Sequence, residues 1–200
     1  MIALAAGLLL AATPAARPDL VDVSRLVPDA VLDLRYATAD NFLGRKVYPS
    51  ARCLLVRPAA RRLARAAAAL RAKGYRLRLW DCYRPLSIQR EMWRIRPDPG
   101  YVADPRRGSN HNRGAAVDLT LVGPGGAAVE MPTPFDTFDA RAHADATEGV
   151  APAARRNRAL LREAMERAGF LVHPNEWWHF ATRNARTLPV LDVPLGAEGR

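Results

Sequence analysis

The stretch Pro58–Trp80, PAARRLARAAAALRAKGYRLRLW, decides how this chain is built. Proline stands in a first turn, Leu63, Ala66 and Leu70 recur at helical spacing, and Gly74 supplies a stop, so Pro58–Lys73 is predicted to be a helix. Tyr75–Trp80 then alternates apolar with polar residues, the pattern of a half-buried strand. Upstream, Leu20–Leu34 also alternates and gives way to a loop around Tyr36–Phe42. Downstream, a second helix is expected from Pro85 with Ile88, Met92 and Trp93 inward, and a third over Arg155–Ala168 before Gly169. Helices and short strands do not alternate regularly, and no GxGxxG or P-loop glycine pattern is present, which argues against a doubly wound parallel sheet. The expected fold is α+β: one domain with a small, mostly antiparallel sheet and flanking helices.

Two hundred residues with 49% apolar content suit one sizeable core, and no period of twenty to fifty residues recurs. The net charge of +10 comes almost wholly from arginines spread along the chain. Without a basic run interleaved with aromatics, or a zinc-finger or helix-turn-helix signature, the charge reads as a solvated basic surface and no nucleic-acid partner is expected. Met1–Ala12 is apolar, too short for a membrane span and of the length of a signal-peptide core, with Thr13 and Ala15 as small residues near a cleavage site. Residues 1–16 are therefore expected to be a signal peptide, 17–190 the folded domain and 191–200 a loosely held tail. The expected location is the periplasm or the exterior, or the cytoplasm if the segment is retained; no stable membrane insertion after its removal and no obligate protein partner are expected.

Only four histidines occur, and two lie in compact polar settings: SNHNRG at 109–114 followed by Asp118, and Glu176-Trp177-Trp178-His179. Imidazole nitrogen and carboxylate oxygen suit Zn²⁺, and a catalytic zinc keeps three protein ligands. His111, Asp118 and His179 are such a set, with Glu176, three residues from a ligand, placed to take a proton from a water. On spacing alone the alternative stays open that His111 and His179 are hydrogen-bonded core histidines and Asp118 caps a turn.

Ser109, His111, Gly114, Ala116 and Asp118 match the SxHxxGxAxD pattern, and Glu176–His179 the ExWH pattern, of the zinc D,D-peptidases, which this chain thus resembles. Within that group it is most similar to the VanX-type D-alanyl-D-alanine dipeptidases, through Tyr36–Phe42, the segment DCYRP at 81–85 and Met131–Asp136. The resemblance implies one zinc in a central cleft on His111, Asp118 and His179, with Glu176 as general base and Arg84 stabilising the oxyanion of a tetrahedral intermediate. It also implies that Tyr36, Ser109 and Asp136 bind substrate, Asp136 taking its free ammonium. Read without the family, Arg84 is a surface arginine before a helix and Asp136 an Asx-turn residue. His143 has a family counterpart; His173 has none and reads as a loop histidine. The short Arg- and Pro-rich connection Arg94–Arg107 departs from the family in what is by analogy the cleft wall.

The implied activity is hydrolysis of D-Ala-D-Ala, with a small dipeptide as the partner. The competing readings are a D,D-carboxypeptidase or endopeptidase sharing the zinc motifs, and a zinc-binding wall module without catalysis, against which Glu176 argues. Geometry adds a Cys53–Cys82 disulfide. A sixteen-residue helix travels about 24 Å and a six- or seven-residue strand returns about 20 Å, bringing the cysteines that flank this unit together. Two buried thiols are the alternative.

Overall fold

The computed structural model describes residues 19–196, so the expected signal segment lies outside the described residues. Its elements run β1 (Leu20–Asp22), β2 (Val31–Leu32), β3 (Leu54–Val56), α1 (Arg57–Arg71), β4 (Arg76–Asp81), α2 (Leu86–Ile95), β5 (Ala116–Val122), α3 (Pro152–Arg167), β6 (Phe170–His173) and β7 (Glu176–Thr182). A five-stranded sheet has the order β2-β4-β5-β7-β6, and β1 pairs with β3 apart from it. Only the short edge pair β2/β4 is parallel within the larger sheet. This is the α+β, mostly antiparallel arrangement expected.

The deciding stretch folds as α1 and β4. Gly74 takes φ +84°, and the Tyr75 N–H donates to the Leu70 carbonyl, closing the helix in a turn that a side-chain-bearing residue enters at a steric cost. Ala59, Leu63, Ala66 and Leu70 of α1 join Leu161 and Met165 of α3 in one core with Leu77, Leu79, Val117, Leu119 and Leu121 of β4 and β5. Because strand side chains alternate, Asp118 on the same strand faces the opposite side of the sheet from Val117 and Leu119. The core and the polar face are thus two sides of β5. α3 starts at Pro152, earlier than Arg155, because its proline is the first-turn residue.

Cys53 and Cys82 are joined in a disulfide with Cα atoms 5.2 Å apart and both residues fully buried. It closes the loop around α1 and β4. The expectation of a loose tail from 191 is corrected for the described part, Leu191 to Gly196. Its backbone donates to Asn112 O from Leu191 and to the Tyr83 hydroxyl from Val193; it accepts from Leu86 N–H at Leu191 and from Ser50 Oγ at Leu195. Leu195 is buried against Tyr83 and Met92. Small and apolar terminal residues looked untethered in sequence, but their partners lie 79 or more positions away. No helix among the described residues is long and apolar enough to cross a membrane.

Candidate metal centre

Asp118 and His179 are direct partners in the β5/β7 register, and Asp118 is likewise paired with Asp81 across β4/β5. Cross-strand partners hold their Cβ atoms about 4.5–5.5 Å apart, so the sheet itself aligns Asp81, Asp118 and His179 in one row. His111 reaches the row from a short 3-10 turn, His111–Arg113, which ends at Gly114 in the left-handed region (φ +62°). A Cβ on Gly114 would lie 2.8 Å from Leu20 Cδ2 and 3.2 Å from the Val56 nitrogen, so this turn requires glycine on both counts.

The three candidate ligand atoms converge. His179 Nδ1 lies 3.0 Å from Asp118 Oδ1 and 3.0 Å from His111 Nε2, and His111 Nε2 lies 3.3 Å from Asp118 Oδ1. Bonds of 2.0–2.1 Å in a tetrahedron separate ligand atoms by about 3.3 Å, so the triangle fits one small cation. His111 Nδ1 is 2.7 Å from the Cys82 carbonyl, which accepts its hydrogen and leaves Nε2 with a free lone pair, the outer-sphere arrangement of metal histidines. All three residues are buried. Burial works against charge on Asp118, but His111 and His179 hold its carboxyl well below the usual range.

Glu176 Oε2 lies 3.8 Å from His179 Nδ1. Residues three apart on a regular strand face opposite sides, so this approach needs an irregularity. The β6/β7 register supplies it, shifting between Val172 and His173 opposite the start of β7. Burial pushes the Glu176 carboxyl up to about 8, with His179 opposing and Asp118 and Asp136 reinforcing. His173, across the shift, is pushed down to about 4 by burial and by His179. It lines the cleft with its ring centroid 5.4 Å from that of His179, which a loop histidine reading did not foresee.

Arg84 leaves the end of β4 and is 8% exposed, not the surface arginine that its composition suggested. Its Nε and Nη2 donate to Asp81 Oδ2 at 3.1 and 2.5 Å, its Nη1 to Gln89 Oε1 at 2.8 Å, and its guanidinium lies over the Tyr36 ring. Burial opposes its charge, and Asp81 more than compensates, keeping Arg84 firmly protonated. Tyr48 completes the group by donating to Asp81 Oδ1 at 2.6 Å. Asp81, Tyr48 and Gln89 had no role in the sequence reading; the available signal was Gln89, a polar residue on the inward face of α2 beside Met92.

Asp136 is the one non-glycine residue with positive φ (+56°) among those described. Its carboxylate accepts from the Tyr36 hydroxyl at 3.0 Å, and burial, with Asp118 nearby, pushes it up to about 8. The loop that carries it is fixed by Phe135 packed on Trp80 and Trp178, and by Trp177 Nε1 donating to Thr133 Oγ1 at 2.9 Å. Its left-handed backbone thus holds the carboxyl in the cleft wall beside Tyr36. Ser109 also lines the cleft, though its Oγ accepts from the His111 N–H at 3.2 Å and so supports the metal-side turn. Tyr36, Arg84, Ser109, His111, Asp118, Asp136, Glu176 and His179 all line one cleft of about 820 Å³.

Residues 16–193 match the family model described as D-ala-D-ala dipeptidase, of peptidase family M15. A D-alanyl-D-alanine dipeptidase of Escherichia coli K12 is 42% identical over 173 residues, covering 86% of this chain and 89% of its own. One from Enterococcus faecium is 35% identical over 176 residues, covering 76% and 85%. A solved structure of VanYB in complex with D-alanine-D-alanine aligns with a TM-score of 0.43 at 19% identity, over 70% of this chain and 79% of that one. With a metal-capable His/Asp/His triangle at the end of the matched motifs and the family model spanning most of the sequence, this chain belongs to the M15 D-ala-D-ala dipeptidase family of metallopeptidases.

Proposed function

We propose that this protein hydrolyses free D-alanyl-D-alanine, with zinc as the metal on His111, Asp118 and His179. The observation that carries the reading is the buried ligand triangle with the Glu176 carboxylate oxygen 3.8 Å from one of its corners. When bound, zinc supplies Lewis acidity to the scissile carbonyl and to water. Glu176 takes the proton of the attacking water as its oxygen adds to the carbonyl carbon, then hands that proton to the leaving amine as the C–N bond breaks. The same carboxylate thus serves first as base and then as acid. Three of the five Arg84 N–H donors are engaged, leaving one on each terminal nitrogen for the oxyanion of the tetrahedral intermediate. Asp136, oriented by Tyr36, takes the substrate ammonium, whose charge offsets that of a carboxylate otherwise costly to ionise in this pocket. Ser109, on the metal side, hydrogen-bonds the other end of the substrate through its hydroxyl. The products are two molecules of D-alanine.

Export to an oxidising compartment fits the apolar Met1–Ala12 stretch and a disulfide that survives there. A second reading, D,D-carboxypeptidase action on wall stem peptides, is favoured by the size of the cleft. The test compares free D-Ala-D-Ala, its N-acetyl derivative and a stem pentapeptide on the zinc-loaded protein. The free dipeptide is expected to exceed the N-acetyl form by roughly thirtyfold or more in kcat/KM, the effect of leaving a buried carboxylate unpaired. Equal or faster cleavage of the acylated substrates would transfer the reading to carboxypeptidase.

A further inference from the structure

Gln89 is fully buried on α2, and both ends of its amide are committed. Its Oε1 accepts from Arg84 Nη1 at 2.8 Å, and its Nε2 donates to the Ala103 carbonyl at 2.7 Å. Ala103 belongs to the segment Pro97–Ser109 that forms one wall of the cleft, so a single side chain bridges that wall and the arginine. The wall has little regular structure of its own: it is a run of turns between α2 and the His111 turn. A planar amide with one donor end and one acceptor end is suited to this bridge, because the arginine requires an acceptor and the backbone carbonyl requires a donor.

The rest of the Arg84 environment shows why the bridge matters. Asp81 Oδ2 binds Nε and Nη2, fixing the inner edge of the guanidinium, whereas Gln89 is the one hydrogen-bond partner of Nη1 among the described residues. Asp81 holds that edge and the Tyr36 ring lies against the guanidinium, but neither holds Nη1. With Gln89 in place Nη1 is held as well, and where it is held depends on where Ala103 stands. We infer that Gln89 is a positioning residue that couples the cleft wall at Ala103 to the orientation of Arg84, so that seating of substrate against that wall and alignment of the oxyanion donor are linked. The inference rests on the proposed role of Arg84 in turnover.

Two variants separate the arms. Gln89→Met keeps the volume and removes both hydrogen bonds; Gln89→Glu keeps an acceptor for Arg84 and loses the donor for Ala103. On D-Ala-D-Ala with the zinc-loaded protein, Gln89→Met should lower kcat roughly tenfold or more at unchanged zinc content, since misaligned donors act on the transition state. Gln89→Glu should restore most of kcat while raising KM, because its remaining defect lies in the wall. In an Arg84→Met background, Gln89→Met should change kcat by less than about twofold, as expected for residues acting as one unit. Persistence of the full Gln89→Met effect without Arg84, or a Gln89→Glu no better than Gln89→Met, overturns the coupling. A Gln89→Met with wild-type kcat beside a crippled Arg84→Met overturns the inference and leaves the reading of Arg84 standing. An Arg84→Met with wild-type kcat removes that reading and the inference together.

Discussion

On one side of the cleft, Asp118 and His179 face each other across paired strands of the sheet, and His111 joins them from a turn that only glycine can close. On the other side, Tyr36, Arg84 and Asp136 project from connections between elements and are held by one another's side chains: Tyr36 to Asp136, Arg84 to Asp81 and Gln89. The first geometry is set by backbone register, which cannot slip without turning core residues outward. The second is set by a polar network in which each member can be altered singly. Metal binding is therefore expected to fail or hold as a whole, and substrate handling to degrade in steps.

The largest effect expected is at the register side. Replacing His111, Asp118 or His179 with Ala should abolish tight zinc binding, read by metal analysis after dialysis; stoichiometric zinc in all three variants would show that these residues do not hold the metal. Next comes Glu176→Gln, which should keep one zinc per chain and lose on the order of a thousandfold or more in kcat, because the amide cannot accept the water's proton. A near wild-type rate would assign the base elsewhere.

Asp136→Asn tests the network side. It should reduce kcat/KM on free D-Ala-D-Ala by roughly thirtyfold or more and leave the N-acetyl form almost unchanged, since only the free substrate carries the ammonium. The same substitution has a signature in the metal-free protein. With the folded carboxyl titrating near 8 and the unfolded one near 4, the folded state retains a proton that the unfolded state has lost, so Asp136 lowers stability as pH rises through that window. Denaturant unfolding should show Asp136→Asn gaining on wild type between pH 4.5 and pH 8; a pH-independent difference would contradict the assignment. The smallest effect on the site is expected from Cys53→Ala with Cys82→Ala. Opening the loop should cost about 3 to 4 kcal/mol of stability by the chain-entropy model, yet zinc stoichiometry should stay at one, because register holds the ligands. Loss of zinc from a folded double variant would show that the Cys82 carbonyl, and with it His111, depends on the disulfide.

What was legible in the sequence follows the same division. The α1–β4 unit was readable because its periodicity and its terminal glycine are local, and the cysteine pairing followed from the lengths of those two elements. The ligand residues were visible through compact motifs. β5 was harder to place, since AVDLTLV is buried along its whole length and is interrupted at its third position by an aspartate, one corner of the metal-capable triangle. The approach of Glu176 to His179 depends on a register shift with no local sequence mark. Asp81, Tyr48 and Gln89 were missed because their roles are relations between side chains, up to 33 positions apart for Tyr48 and Asp81, which neither periodicity nor spacing encodes. The fastening of Leu191–Leu195 was missed for the same reason.

Titrating metal-free protein with zinc while following D-alanine release from D-Ala-D-Ala decides whether one zinc on His111, Asp118 and His179 makes this cleft a dipeptidase. The expected result is no turnover without metal and a linear rise in rate that breaks at one zinc per chain. Undiminished hydrolysis by the metal-free protein, or a saturated site that leaves the dipeptide intact, would contradict it.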